Sequence, residues 1–420
     1  MDDSSLADAR ERDRADPISD VRERFYLPDE LYMDGNSLGP LSKDAEAALD
    51  RVVDQWRDLA IRGWTDADPD WFSYGERLGD RVAPLVGADE EEVVVANSTT
   101  VNIHTLVGTF YDPSRGPNVV VDALDFPTDH YAVRAQLRTR GRDPDEALRV
   151  VESRDGRTIE TEDVLAAIDD DVGLVFLPSV LYRSGQLFDL EAITEAAHDA
   201  GAFVGFDLAH SVGVVPHRLS SLGVDFAVWC HYKYLNAGPG ATAGLYVNER
   251  HFGATPHLAG WWGNRKETQF DMRLTYEPAP SAGAFQIGTV PVLAAAPLDG
   301  ALDVLADAGG VSAAREKSLA LTSYLVDLVD ERLPDCTVGT PRAPERRGGH
   351  VAVEHPEAER VSRALRDRGV VVDYRPPNVV RVCPAPLYTR FADVWHVVDC
   401  LGEILDERAY EQYDTSTGVT

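Results

Sequence analysis

Through the first two-thirds of the chain, short runs of β-branched residues alternate with stretches whose apolar positions recur at helical spacing. The runs Glu92–Ala96, Asn118–Asp122, Leu148–Val151, Gly173–Leu177, Phe203–Phe206 and Phe226–Trp229 predict strands. Thr161–Ile168 and Leu190–Ala200 predict helices between them. Two further helices are expected upstream, over Leu41–Arg62 with Ser42 as N-cap and over Tyr74–Val86. This alternation predicts an α/β fold on a mostly parallel sheet, with ligands at the carboxyl ends of its strands. After about residue 300 the pattern changes. A long helix (Val311–Glu331), short strands near Cys336–Gly339, His350–Val353 and Val379–Val382, and helices over Ala358–Arg368 and Phe391–Asp406 predict a smaller α+β domain. Thr340–Gly349, rich in Pro and Gly, is expected to be a loop. The expected organisation is a loose, charged arm over 1–24, a segment over 25–60 packing with the small domain, a large α/β domain over 61–295 and the small domain over 296–420.

Composition narrows the function classes. A chain of 420 residues buries a large core. No apolar run approaches the roughly 18 residues of a membrane span, and MDDSSLADARERDRAD is too charged for a signal peptide, so a cytoplasmic protein is expected. Cys230, Cys336, Cys383 and Cys400 form no CxxC pair and predict neither a zinc site nor a disulfide framework. Acidic residues number 71 against 40 basic ones, a formal net charge of −31. Nucleic acid and anionic membranes are poor partners for such a surface. The acid is spread along the whole chain, which suits molar salt, where a Debye length of about 3 Å screens self-repulsion. A halophilic source is expected.

Three elements carry candidate chemistry. Asn97-Ser98-Thr99-Thr100 follows a strand and opens a helix, so backbone N–H groups and hydroxyls could cradle a phosphate; a plain N-cap would use the same residues. Asp207, with His210 beyond it, ends an apolar strand, where a carboxylate is costly to bury without a cation or several donors. A protonated pyridine nitrogen would meet that need, although Asp207 could also be a helix cap. Lys233 is one of only four lysines and lies among aromatic residues just before a glycine-rich loop. An amine desolvated there becomes a nucleophile for carbonyls, and Tyr232 adds a phenol beside it. Taken together, a phosphate cradle, an Asp and a Lys 26 residues later specify pyridoxal 5′-phosphate (PLP).

The strings around these residues resemble the kynureninase family. They are Asp34–Pro40 (DGNSLGP), Asn97–His104 (NSTTVNIH), Phe126–Tyr131 (FPTDHY), Gly205–His210 (GFDLAH), Trp229–Gly238 (WCHYKYLNAG), Gly260–Gly263 (GWWG) and Arg381–Tyr388 (RVCPAPLY). The resemblance implies a fold type I PLP enzyme, a homodimer with active sites at its interface, that hydrolyses L-kynurenine to anthranilate and L-alanine in tryptophan breakdown or NAD biosynthesis. It implies that Lys233 carries the cofactor and Asp207 holds the pyridine nitrogen. Thr99, Thr100, Phe126, Asp129, His210, Tyr232 and Trp261 match further cofactor contacts, and Thr289 matches one from the other subunit. Tyr232 matches a candidate proton relay. Arg381 resembles the arginine that binds the substrate carboxylate, with Ser37 and Trp64 as further substrate contacts. Pro178-Ser179 departs from a Ser-Gly pair that the family can show. Where some members present polar His and Asn to the substrate ring, this chain is expected to present Trp64 and Gly288-Thr289, which favours kynurenine over its 3-hydroxy form.

Two other readings make distinct demands. A cysteine desulfurase or selenocysteine lyase on the same fold needs an accessible nucleophilic thiol, for which Cys336 is the candidate by position. A non-catalytic acidic interaction protein predicts loss of Lys233 or Asp207, and both are present.

Overall fold

A computed structural model describes residues 5–414. The large domain is built on a seven-stranded sheet of β1 (Val93–Val95), β2 (Asn118–Asp122), β3 (Leu148–Val151), β4 (Val172–Pro178), β5 (Phe203–Asp207), β6 (Phe226–Trp229) and β7 (Gly244–Val247). Their spatial order is β1-β7-β6-β5-β4-β2-β3. Only β7 runs antiparallel to its neighbours. The sequence pattern did not mark β7, which is four residues long and follows a Gly- and Ala-rich stretch that reads as loop. Strands β4 and β6 are buried along their whole length because helices cover both faces, which is why they read as continuous apolar runs. Gly205 in β5 has no substitute, since a Cβ there would come within 2.2 Å of the Phe226 ring.

Because β1, β2, β5 and β6 share one direction, their carboxyl ends deliver four loops to one edge of the sheet. These loops carry Thr99, Phe126, His210 and Lys233. The N-terminal DGNSLGP segment closes over the same edge: Gly39 N–H donates to the Tyr232 carbonyl at 2.7 Å. A Cβ at Gly39 would strike the Lys233 carbonyl at 2.6 Å.

The smaller domain is a four-stranded antiparallel sheet in the order β10-β11-β9-β8, with β8 (Thr337–Val338), β9 (Val351–Glu354), β10 (Asp373–Arg375) and β11 (Val379–Val382). Helices Gly310–Arg332, Ala358–Asp367 and Phe391–Asp406 contribute to its core. Leu31–Tyr32 pairs with Val370–Val371 of this domain. The helix Lys43–Leu59, capped by Ser42 Oγ, packs instead along the helix Val292–Asp307.

The loose arm expected over residues 1–24 is corrected. From Ser5 onward the segment is docked, beginning with a helix over Leu6–Ala15. Ala9 enters the small-domain core. Asp13 accepts from the N–H groups of Phe391 (2.6 Å) and Ala392 (3.2 Å) at the start of the last long helix. Asp16 pairs with the buried Lys317 at 2.7 Å. Polar residues hold this segment through specific partners, which apolar periodicity does not reveal. Among the described residues no helix is long and apolar enough to cross a membrane.

Candidate active site

The converging loops and the small domain enclose a cavity of about 260 Å³. At one end Thr99 and Thr100 open the helix Thr99–Phe110, with Ser98 as N-cap. Asn97, at φ +55°, turns the chain into this helix while its amide nitrogen donates to Asn102 Oδ1 at 2.8 Å. The hydroxyls of Thr100 and Thr128 lie 3.0 Å apart at the cavity wall. First-turn N–H groups with clustered hydroxyls suit a phosphate.

One wall of the cavity is acidic. Asp207 ends β5, and its Oδ1 accepts from Ala209 N–H at 2.6 Å. Asp125 and Asp129 are buried beside it. Neither oxygen of Asp129, nor Oδ2 of Asp125 or Asp122, meets a hydrogen-bond donor among the described residues. Burial, then the charge of the neighbouring carboxylates, pushes Asp125 and Asp129 well above the usual carboxyl range. Burial raises Asp207 as well, but Ala209 N–H and the charge of Lys233 oppose the rise. Asp125 and Asp129 are therefore the members that keep a proton, Asp129 facing Asp207 as the better acceptor. The cluster is short of cations.

Lys233 Nζ lies 2.8 Å from His210 Nε2. Burial first, and Lys233 second, hold the imidazole well below its ordinary pKa, so the ring beside Lys233 Nζ is neutral. Next to Lys233, Tyr232 is pushed above the ordinary phenol value by Cys230 and by burial, so it keeps its proton. Phe126 exposes part of its ring to the cavity and meets Tyr182 edge-on at 5.4 Å.

At the far end Arg381 is only 1% exposed. It donates through Nη1 to the Tyr182 carbonyl (2.8 Å), and through Nη2 to Ser37 Oγ (2.7 Å) and to the Asp373 carboxylate. Asp34 lies 3.9 Å from the same Nη2, its acid pushed up to about 6 by burial and by Asp373.

A family model for the kynureninase C-terminal domain matches residues 314–401. The kynureninase of Geobacillus thermodenitrificans is 48% identical over 419 residues, spanning 99% of this chain and 98% of the relative. That of Shouchella clausii is 45% identical over 415 residues, spanning 98% and 97%. The chain belongs to the kynureninase family. Among solved structures, a cysteine desulfurase from Thermococcus onnurineus is similar with a TM-score of 0.79 at 20% identity, covering 92% of this chain and 98% of that one. An alanine–glyoxylate aminotransferase from Nostoc sp. is similar with a TM-score of 0.67 at 16% identity, covering 90% and 96%. These two likenesses are of fold.

In this kynureninase-family chain, Ser37, Thr99, Thr100, Phe126, Asp207, His210, Tyr232, Lys233 and Arg381 all line the one cavity. Asp129 lies buried beside Asp207. Trp64, Trp261 and Thr289 are not brought to it within one chain. Trp64 packs against Trp71 and Trp262 and, with Thr289, lines a separate apolar cavity of about 460 Å³. Trp261 is 43% exposed and donates its indole N–H to the Gln269 carbonyl at 3.1 Å. Ser179 Oγ points away from the cavity to Ser211 Oγ (2.7 Å) and the Asp207 carbonyl (3.2 Å). Cys336 packs against the small-domain core, and burial pushes its thiol up to about 12, the opposite of what a desulfurase nucleophile needs. Asp125, Thr128, Tyr182, Asp373 and Arg375 were not marked by the sequence. Only Thr128 and Asp125 carried a signal, by lying within or beside FPTDHY.

Proposed function

We propose that this cavity holds PLP joined to Lys233, and that the chain uses it to hydrolyse L-kynurenine to anthranilate and L-alanine. The observation that carries the reading is the buried acid cluster. Asp129 has two oxygens without donors, Asp207 lies beside it, and a pyridinium N–H is the cation such a pair lacks. The rest of the cavity fits the same group. Thr99, Thr100 and Thr128 would take its phosphate, Phe126 would stack on its ring, and Tyr232 and His210 would flank the Lys233 link.

When bound, PLP supplies an electron sink for the bonds at the substrate α-carbon. The chain's own groups do the remainder. Arg381 and Ser37 orient the α-carboxylate. The Lys233 amine, positioned by neutral His210, takes and returns the proton at the substrate α-carbon. Tyr232, kept protonated, delivers a proton to the substrate Cβ as the Cβ–Cγ bond breaks, water having added at the Cγ carbonyl.

The active unit is a homodimer in which the second subunit brings Trp261, Thr289 and Trp64 to the site. The apolar cavity around Trp64 and Thr289, together with exposed Trp56, Phe270, Met272 and Leu274, supports this, because a chain this acidic has little reason to leave such surface wet. The dimer works in the cytoplasm at molar salt. It prefers kynurenine to 3-hydroxykynurenine, since the aromatic face of Trp64 stands where some family members present a polar side chain to the ring hydroxyl. Purified protein, PLP and L-kynurenine in molar salt should give anthranilate fluorescence and alanine in equal amounts. A kcat/KM higher for 3-hydroxykynurenine would reverse the substrate preference. Sulfide from cysteine with no anthranilate would overturn the reaction.

A further inference from the structure

A second guanidinium reaches the cavity beside Arg381, and the hydrogen-bond donors are divided unevenly between the two. Arginine carries five N–H donors. Arg381 has committed four: one of Nη1 to the Tyr182 carbonyl, both of Nη2 to Ser37 Oγ and Asp373, and Nε to the Asn36 amide oxygen at 2.9 Å once that amide is turned to face it. One N–H on Nη1 remains. Arg375 lines the same cavity, and among the described residues its guanidinium makes one ion pair, to Asp373. Its Nη2 pairs with Asp373 Oδ2 at 2.8 Å, while its Nε is buried and meets no acceptor among the described residues. Its guanidinium lies 5.9 Å from the Tyr182 ring centroid, and Tyr182 supplies the carbonyl that holds Arg381. Asp373, itself buried, sits between the two arginines, hydrogen-bonded to Arg381 and ion-paired with Arg375.

We propose that Arg375 is a substrate-binding residue that receives the α-carboxylate jointly with Arg381, the two held at a fixed separation by Asp373. A carboxylate gains most from two parallel donors. Arg381 alone offers one free N–H and would have to give up Ser37 or Asp373 to offer two; Arg375 supplies the second donor with nothing broken. Asp373 is the positioning residue of the pair. The assignment rests on the reading of the substrate as L-kynurenine.

The test compares holoenzyme with Arg375→Gln and Arg375→Lys, using two ligands that each lack one α-substituent of the substrate and whose Kd is read by calorimetry. One, 4-(2-aminophenyl)-4-oxobutanoate, keeps the carboxylate and lacks the α-amine. The other, kynuramine, keeps the amine and lacks the carboxylate. Arg375→Gln should weaken the first about 10- to 100-fold, the loss of one charge-assisted hydrogen bond, and change the second less than about twofold. KM for L-kynurenine should rise in parallel with kcat within about threefold, and Arg375→Lys should fall between glutamine and wild type. Unchanged binding of the oxobutanoate, or an equal loss for both ligands, overturns the assignment. Cofactor absorbance equal to wild type reports folding; if the glutamine variant lacks it, the lysine variant carries the comparison. Failure of wild type to turn over kynurenine would sink the substrate reading separately, since the ligand pair needs no turnover.

Discussion

Asp129→Asn tests whether the acid cluster is waiting for a cation. Both carboxylate oxygens of Asp129 are buried without a donor, and burial followed by the charge of Asp207 lifts its acid well above the usual range. In the unfolded chain the same group titrates near about 3.9. Between those two values the folded apoprotein keeps a proton that the unfolded chain has lost. The stability this group contributes is therefore complete below the unfolded value and is lost as pH rises through the folded one. A single site of this kind gives a slope of about 1.4 kcal/mol per pH unit. Asparagine has the same shape and no such proton, so above the unfolded value the variant's stability should fall less steeply with pH, by up to about 1.4 kcal/mol per pH unit. Urea unfolding of the apoproteins at constant molar salt measures this through the extrapolated free energies. Loading wild type with PLP should flatten its own slope, because the pyridinium lets the cluster ionise. Equal slopes for apo wild type and variant would refute the reasoning.

Lys233→Ala should remove the visible absorbance of the bound cofactor and nearly all turnover; retention of both contradicts the assigned role. Asp16→Asn strands the buried Lys317 ammonium and should cost about 3–5 kcal/mol, with loss of hydrogen-exchange protection over Leu6–Ala15, whereas Lys317→Met should cost much less. With 71 acidic against 40 basic residues, the protein should lose its fold or activity on dialysis into dilute buffer and recover on return to molar salt, which activity and circular dichroism follow together.

The sequence carried most of the sheet and much of the cavity, for identifiable reasons. Strands such as Asn118–Asp122 and Phe226–Trp229 coincide with apolar runs because both faces of a parallel sheet are covered. Four short strands escaped, Leu31–Tyr32 and Val370–Val371 among them. Gly244–Val247 is short and follows a Gly- and Ala-rich stretch that reads as loop. Asp373–Arg375 is a polar edge strand, defined by its pairing with Val379–Val382 and not by periodicity. Within the site, Lys233, Asp207 and Thr99–Thr100 were legible because each breaks a local pattern at a strand or helix end. Asp373 and Arg375 were not, since their meaning arises only where Arg381 and Ser37, 344 positions apart, meet. The docked N-terminal helix was missed for the same reason: Asp13 and Asp16 are surface-like in sequence and capped or paired in space.

The central claim is that Lys233 alone carries the cofactor, and the scarcity of lysine makes it directly measurable. Holoenzyme reduced with borohydride, digested and read by mass spectrometry should show the pyridoxyl phosphate mass on the peptide containing Lys233. Its appearance on Lys43, Lys266 or Lys317 instead, or on no peptide from protein that turns over kynurenine, would contradict the account.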